Sequence, residues 1–121
     1  MAREQEGIGI ASGLALTGKE GVLFYQDTGL GNSMEALTTY AMAYHSLMLA
    51  MAVRRGGFGE YNACNFLFAE TAVDVVEAMR IQAFVLDCRM PLENWPGAIN
   101  KAYDYAHMTH RLTIMFLNLK E

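Results

Sequence analysis

Four short apolar runs alternate along this chain with four longer segments of helical periodicity, and this alternation is the feature that most constrains the fold. We predict strands over residues 22–25, 46–53, 81–86 and 112–119, and helices over residues 3–17, 31–45, 65–79 and 96–110. The joining loops are short, and strand–helix–strand units almost always form right-handed parallel crossovers. The sequence therefore predicts one α/β domain over residues 1–121, an open, mostly parallel sheet with helices on both faces.

The composition is more apolar than that of an average soluble domain, with 53% hydrophobic and 18% charged residues. That excess favours a sheet buried on both faces or a large subunit interface. No apolar run approaches the roughly 20 residues that a membrane helix needs. The net charge of −4 argues against nucleic acid as a partner. We therefore expect a cytoplasmic protein that binds neither nucleic acid nor membrane.

The two cysteines, Cys64 and Cys88, are far apart and form no CxxC pair. This spacing argues against a zinc site and favours reduced, buried thiols. The histidines are likewise dispersed, with no third ligand spaced to complete a metal site, and we predict none.

The segment QDTGLGNS, residues 26–33, joins a predicted strand to a predicted helix through a glycine turn. Gly29 and Gly31 let a ligand approach the backbone closely, and Asn32 or Ser33 can cap the helix that follows. The third glycine of the dinucleotide fingerprint is missing, because Met34 stands there. From the residues alone, a ligand-binding turn and a plain structural turn both remain open.

Two further groups of charged residues have two interpretations each. Glu4 and Glu6 lie in the first turn of a predicted helix, where they either complement the helix dipole or place one carboxylate in a cleft to handle a proton. Arg54 and Arg55 follow a strand and precede a glycine-rich loop that ends at Glu60. These arginines either grip an anion or form a solvated loop whose charges pair with Glu60.

A family resemblance rests on residues 4–15, EQEGIGIASGLA, followed by a strand and then GLGNS at residues 29–33. This pattern resembles the pyrimidine-binding domain of thiamine-diphosphate-dependent decarboxylases, especially the sulfopyruvate and phosphonopyruvate decarboxylase group. The pairs at residues 55–56 and 59–60 also resemble that group, and the resemblance runs over nearly the whole chain.

The resemblance implies an alpha (pyrimidine-binding) subunit of a 2-oxo acid decarboxylase. The expected reaction converts sulfopyruvate to sulfoacetaldehyde and CO₂ in coenzyme M biosynthesis. Glu4 is the expected catalytic residue, which hydrogen-bonds the pyrimidine ring of the cofactor. The cofactor-binding residues are expected to be Glu4, Gly29, Leu30, Gly31 and Asn32, and the substrate-facing residues Gln26, Asp27, Arg54 and Arg55.

The sequence departs from the family pattern in three respects. Asp27 stands where relatives tend to have Asn, which adds a possible negative charge near an anionic substrate. The family's domain has a strand, a helix and a second strand before the glutamate, so we expect a shortened chain or a sheet that another chain completes. The Gly-Asp-Gly and Asn-Asn motif for Mg²⁺ and diphosphate is absent.

That third departure implies a hetero-oligomer in which a beta subunit carries the Mg²⁺ and the cofactor's diphosphate. The alternative is a non-catalytic α/β module, derived from the same domain, that acts in assembly or regulation.

Overall fold

The structure is a computed structural model that describes residues 2–119. Within them lie helices α1 (Glu4–Leu16), α2 (Leu30–Ala36), α3 (Phe66–Ala78) and α4 (Trp95–Thr109), and strands β1 (Val22–Gln26), β2 (Met48–Val53), β3 (Gln82–Leu86) and β4 (Leu112–Leu117). All eight predicted elements are present in the predicted order. Their ends differ from the prediction by a few residues.

The four strands form one parallel sheet in the order β1-β2-β4-β3. The chain crosses from β2 to the far edge strand β3 and returns to insert β4 between them. Because every pair is parallel, the carboxyl ends of all four strands lie at one edge of the sheet. The predicted open, parallel α/β fold is confirmed.

Helices cover both faces of the sheet, as predicted. Helices α1, α2 and α3 share one apolar cluster with inward side chains of the strands, such as Ala50 and Phe116. Helix α4 alone packs on the opposite face, where Trp95 and Ala102 meet Leu49. Every residue of the central strand β4 is buried, as expected for a parallel strand covered on both sides.

The second helix departs from the predicted regular helix, because residues Leu37–Met42 form wider, π-type turns. The hydroxyl of Thr38 donates to the carbonyl of Glu35 at 2.9 Å, and the hydroxyl of Thr39 donates to the same carbonyl at 2.8 Å. Threonine hydroxyls that compete for helix carbonyls loosen the regular ladder. The local widening is therefore explained by two adjacent threonines.

Strand β1 is an edge strand whose outer face carries exposed apolar side chains. Val22 is 50% exposed and Phe24 is 57% exposed, because α4 packs chiefly over β2 and β4. Edge strands in natural proteins are normally covered or carry charge, and β1 does neither.

The prediction of buried cysteines was wrong, since Cys64 and Cys88 are both free and exposed. Cys64 lies in a short 3₁₀ helix just before α3 and Cys88 lies in the loop after β3, so neither contributes to the core. Across residues 2–119, no helix combines the length and the hydropathy that crossing a bilayer requires.

Candidate functional site at the carboxyl edge of the sheet

The two loops singled out in the sequence meet at the carboxyl ends of β1 and β2. The backbone N–H of Arg55 donates to Asp27 Oδ2 at 3.1 Å, and Arg55 Nη1 donates to Gln26 Oε1 at 3.0 Å. Ligands of open α/β sheets bind beyond this edge of the strands. Parallel pairing of two neighbouring strands thus brings these predicted site residues together.

The amino end of α1 reaches the same edge and places Glu4 against the glycine turn. The side-chain amide of Asn32 donates to Glu4 Oε2 at 2.6 Å, and the backbone N–H of Gln5 donates to Asn32 Oδ1 at 3.2 Å. Asn32 therefore holds the first turn of α1 at two points. Within residues 2–119, no other residue donates a hydrogen bond to Glu4 Oε1.

The environment of Glu4 lowers the pKa of its carboxyl rather than raising it. The Asn32 amide, followed by the backbone N–H of Glu4, holds the pKa of this carboxyl below its ordinary value of 4.5. A carboxylate buried beside a heterocycle would have a raised pKa. Without a ring against it, Glu4 has a lowered pKa and is charged at neutral pH.

Gly29 is needed for space and not for an unusual backbone conformation. Its φ of −69° and ψ of −15° are open to any residue. A Cβ atom there would lie 2.2 Å from Glu4 Cγ and 2.5 Å from Glu4 Cδ. At Gly31 a Cβ would meet only the Phe68 ring at 3.5 Å, an ordinary contact. The two glycines of the turn therefore differ, and only Gly29 lets Glu4 lie against the backbone.

The side chain of Leu30, predicted to bind the cofactor, lies in the core. Leu30 is 1% exposed and belongs to the cluster beneath α1, α2 and α3. Among the cofactor-binding candidates, Glu4 and Asn32 are the residues whose polar side chains meet at this edge.

Two buried polar side chains beside the turn lack partners for one atom each. The Tyr25 hydroxyl and Asp27 Oδ1 are buried without a hydrogen bond within residues 2–119. Burial raises the pKa of Tyr25 well above its ordinary value of 10.0, and the charge of Glu4 raises it further. Burial likewise raises the pKa of Asp27 above its ordinary value of 3.8, although the Arg55 N–H opposes this. The added carboxyl of Asp27 is thus enclosed by protein.

Arg55 is already paired by a buried carboxylate. Its Nε and Nη2 donate to the two oxygens of Glu60, each at 2.9 Å, and the Glu60 side chain is fully buried. The backbone N–H groups that also donate to Glu60 are those of Gly56, Tyr61 and Asn62. For Arg55, the interpretation in which the loop charge pairs with Glu60 is therefore the one that the structure supports.

Arg54 has a different environment from Arg55. Its Nη2 donates to the Ala69 carbonyl at 3.2 Å, while its buried Nε has no acceptor among the described residues. Both arginines line a groove of about 490 Å³ that Phe58 and Phe66 also border. Within residues 2–119, Arg54 forms no ion pair, whereas Arg55 is paired with Glu60.

Sequence reasoning missed the roles of Glu60 and Asn65. Glu60 had been considered only as a charge partner, yet it organises the whole loop through five N–H donors. Asn65 is buried and accepts from Gln26 Nε2 at 3.5 Å, while the same Nε2 also bonds the Thr28 hydroxyl. The only sequence signal for Asn65 is its position just before α3, which is typical of a helix cap.

A metal-ligand cluster does not occur within residues 2–119, where no three His, Cys, Asp or Glu side chains converge as a metal site requires. The Mg²⁺ assigned to a partner subunit therefore stays an expectation.

Comparison with known proteins finds two relatives that carry the same name. No protein-family model matches the chain. Sulfopyruvate decarboxylase subunit alpha of Methanothermobacter thermautotrophicus is 30% identical over 81 residues, which cover 67% of this chain and 49% of that protein. The subunit of the same name from Methanococcus maripaludis is 30% identical over 84 residues, which cover 69% of this chain and 50% of that protein.

The matched part of the chain thus spans about half the length of these relatives. These matches support a relationship between this chain and the alpha subunits of sulfopyruvate decarboxylase.

Proposed function

We propose that this chain is the pyrimidine-binding part of the alpha subunit of a thiamine-diphosphate-dependent 2-oxo acid decarboxylase, with sulfopyruvate as its substrate. The observation that carries the proposal is the contact of Glu4 with Asn32 and Gly29. Glu4 lies 25 or more positions before the other two residues in sequence, and the three meet at the edge of the sheet where ligands of such folds bind.

The residues present fit the pyrimidine end of the cofactor. Within residues 2–119, Glu4 Oε1 has no hydrogen-bond partner on another residue, and the buried Tyr25 hydroxyl next to this corner lacks a partner. Glu4 would accept a hydrogen bond from the pyrimidine ring, while Asn32 fixes the orientation of the carboxylate. When bound, thiamine diphosphate supplies an electron-accepting ring that carries the charge left when CO₂ departs.

Glu4 would then hold or release a proton at Oε1. Asn32 keeps the charged form of Glu4 at neutral pH in the protein alone. Burial of Glu4 by a bound ring would act in the opposite direction and raise its pKa. A carboxylate whose two environments differ in this way suits general acid–base work near pH 7.

The substrate's anionic end is proposed to meet Arg54 rather than Arg55. Arg55 is neutralised by the bidentate Glu60 pair, whereas Arg54 lines the groove and forms no ion pair within residues 2–119. Arginine matches the geometry of sulfonate and carboxylate oxygens. We expect Arg55 and Glu60 to shape the loop that holds Arg54 and Gln26 in place.

A partner chain is part of the proposal, because this chain lacks the Gly-Asp-Gly and Asn-Asn motif for Mg²⁺ and diphosphate. The relatives' printed name, subunit alpha, supports a further subunit. The exposed apolar edge at Val22 and Phe24 is a surface that an assembly could cover.

The test is decarboxylation of sulfopyruvate by this chain mixed with a subunit that carries the Mg²⁺ motif. We expect Glu4→Gln to lower kcat by about 10²- to 10⁴-fold, because it removes the proton-handling group. Glu6→Gln is the matched control, since Glu6 lies in the same helical turn and is exposed. Full activity of Glu4→Gln would refute the proposed role.

The non-catalytic module remains the second candidate, and the neutralised Arg55 is the observation that favours it. Calorimetric titration of the mixed subunits with thiamine diphosphate separates the two. Assembly without cofactor binding or CO₂ release would identify a structural or regulatory module. Cofactor binding that Glu4→Gln weakens would support the decarboxylase.

A further inference from the structure

A second groove, of about 550 Å³, lies at the opposite edge of the sheet from Glu4 and Arg54. It opens at the amino ends of β3 and β4, where Gln82 and Leu112 begin those strands. This basal groove shares no lining residue with the groove beside Arg54. Its volume falls within the range of about 300–1,000 Å³ that is usual for small-molecule sites.

Basic side chains dominate the charge of the basal groove. Arg80, Arg111 and His45 line it, and Glu77 is its acidic lining residue. Within residues 2–119, neither guanidinium takes part in a hydrogen bond or an ion pair. Two unpaired guanidinium groups in one groove are a strong feature for oxyanions, which arginine binds bidentately.

The ends of nearby helices offer a competing explanation for these basic residues. Arg80 and Arg111 follow the carboxyl ends of α3 and α4, where cations complement the helix dipole. However, backbone groups already cap these ends, since Ile81 N–H donates to Val76 O at 3.2 Å and Arg111 N–H donates to Ala106 O at 3.3 Å. The partial negative charges that remain at the ends of α3 and α4 are smaller than the two positive charges of Arg80 and Arg111. The helix ends therefore do not neutralise these arginines.

Two of the residues that line the basal groove have an unusual backbone conformation. His45 and Arg80 adopt left-handed conformations with φ of 50° and 61°. Glycine is the least costly residue at such positions after a helix. A histidine and an arginine there present long polar side chains to the groove at a conformational cost that glycine avoids.

The rest of the groove is apolar enough to bind more than a bare ion. Ile81 and Leu112 are buried at its floor, and Met42 and the half-buried Tyr105 ring also line it. Apolar walls with a few convergent polar groups are typical of sites for small organic molecules.

We propose that the basal groove binds a small organic anion, with a phosphate, sulfonate or carboxylate group held by Arg80 and Arg111 and an apolar body against Tyr105. The basal groove is separate from the proposed decarboxylase site, so anion binding there does not depend on decarboxylase activity. Binding there requires neither thiamine diphosphate nor a partner subunit.

Three probes test the proposal in an amide-shift titration of the ¹⁵N-labelled chain: phenylphosphate, inorganic phosphate and benzyl alcohol. We expect saturable shifts with phenylphosphate, centred on residues 80–83 and 111–112. Inorganic phosphate should shift the same residues with at least about tenfold weaker affinity, because it lacks the ring that buries apolar surface. Benzyl alcohol, which lacks the anion, should not saturate.

Variants locate the recognition groups. The double variant Arg80→Gln/Arg111→Gln should lose at least about tenfold in phenylphosphate affinity through its missing charge-assisted hydrogen bonds. Lys19→Gln/Lys101→Gln removes the same charge from exposed positions outside the groove and should bind as the wild type does. Arg80→Lys/Arg111→Lys keeps the charge and should bind with intermediate affinity.

Thermal unfolding of each variant establishes that it is folded before it is titrated. The proposal is overturned if the wild type shows no saturable phenylphosphate binding, or if the shifts centre on residues 54–60. Equal affinity of a folded Arg80→Gln/Arg111→Gln variant and the wild type would also overturn it.

Discussion

Gly29→Ala is the substitution that separates the geometry of the candidate site from the stability of the fold. The added Cβ would lie 2.2 Å from Glu4 Cγ and 2.8 Å from Glu4 Oε1. Carbon atoms pack at about 3.5–4.0 Å, so the Glu4 side chain must move by more than about 1 Å. That movement breaks the 2.6 Å bond from Asn32 and turns the carboxylate away from its present position.

The cost to stability should be small, because two terms nearly cancel. Losing a charge-assisted hydrogen bond costs up to about 3 kcal/mol when buried, and about 1 kcal/mol for a partly exposed side chain. Replacing glycine by alanine at a helical backbone conformation gains up to about 1 kcal/mol. We therefore expect the free energy of unfolding to change by less than about 1 kcal/mol.

The cost to activity should be large. Misplacing a catalytic group by about 1 Å can reduce the rate by about 10²-fold. We expect that loss in sulfopyruvate decarboxylation by the chain mixed with its partner subunit, measured beside urea unfolding of the chain alone. Gly97→Ala is the control and should be active, since a Cβ at this position in α4 would meet no atom within 4 Å. A Gly29→Ala enzyme with full activity would show that catalysis does not require Glu4 to lie against Gly29.

Three further predictions concern stability. Glu60→Gln removes the charge that pairs with Arg55 and turns one buried acceptor oxygen into an NH₂ donor that faces N–H groups. We therefore expect a loss of about 3 kcal/mol in the free energy of unfolding, measured in urea. Asp27→Asn removes a carboxyl whose folded pKa is raised by burial. Such a carboxyl stabilises the fold fully only below its unfolded pKa, and that contribution is lost as pH rises through the folded pKa. The stability of the variant relative to the wild type should therefore rise with pH above 3.8. The free energy of unfolding should be about 1–2 kcal/mol higher for Arg80→Gly than for Arg80→Ala in thermal unfolding. The reason is that only glycine adopts the φ of 61° at this position without strain.

Each of these predictions has a clear contrary result. Glu93→Gln, an exposed carboxylate, is the control for Glu60, and equal losses in both variants would contradict the loop account. A stability difference for Asp27→Asn that does not vary with pH would mean that Asp27 titrates as an ordinary carboxyl. An Arg80→Ala variant as stable as Arg80→Gly would show that the left-handed backbone at this position carries no strain.

Much of the fold could be predicted because local signals agree with the final packing. Helical periodicity, apolar runs and glycine-rich breaks place all eight elements in the right order. The insertion of β4 between β2 and β3 is not encoded in any local pattern, because it depends on which sheet edge accepts the last strand. The widened turns at Leu37–Met42 were also missed, since they arise from two hydroxyls competing for one carbonyl.

The meeting of the two loops could be predicted from the sequence, whereas the environments of their charged residues could not. Parallel pairing of β1 and β2 brings the loops at Gln26 and Arg55 together, as their positions after the strands indicated. The burial of Asp27 and the neutralisation of Arg55 depend on tertiary packing that the residue types do not reveal. The exposed position of both cysteines was missed for the same reason.

The most direct test of the central claim is a crystal structure of this chain with its partner subunit and thiamine diphosphate. We expect the Glu4 carboxylate to lie within about 3.2 Å of a pyrimidine nitrogen. Asn32 and Gly29 should border the same ring, with Arg54 facing the side on which the 2-oxo acid binds. A cofactor ring bound elsewhere, with Glu4 in contact only with Asn32, would contradict the account.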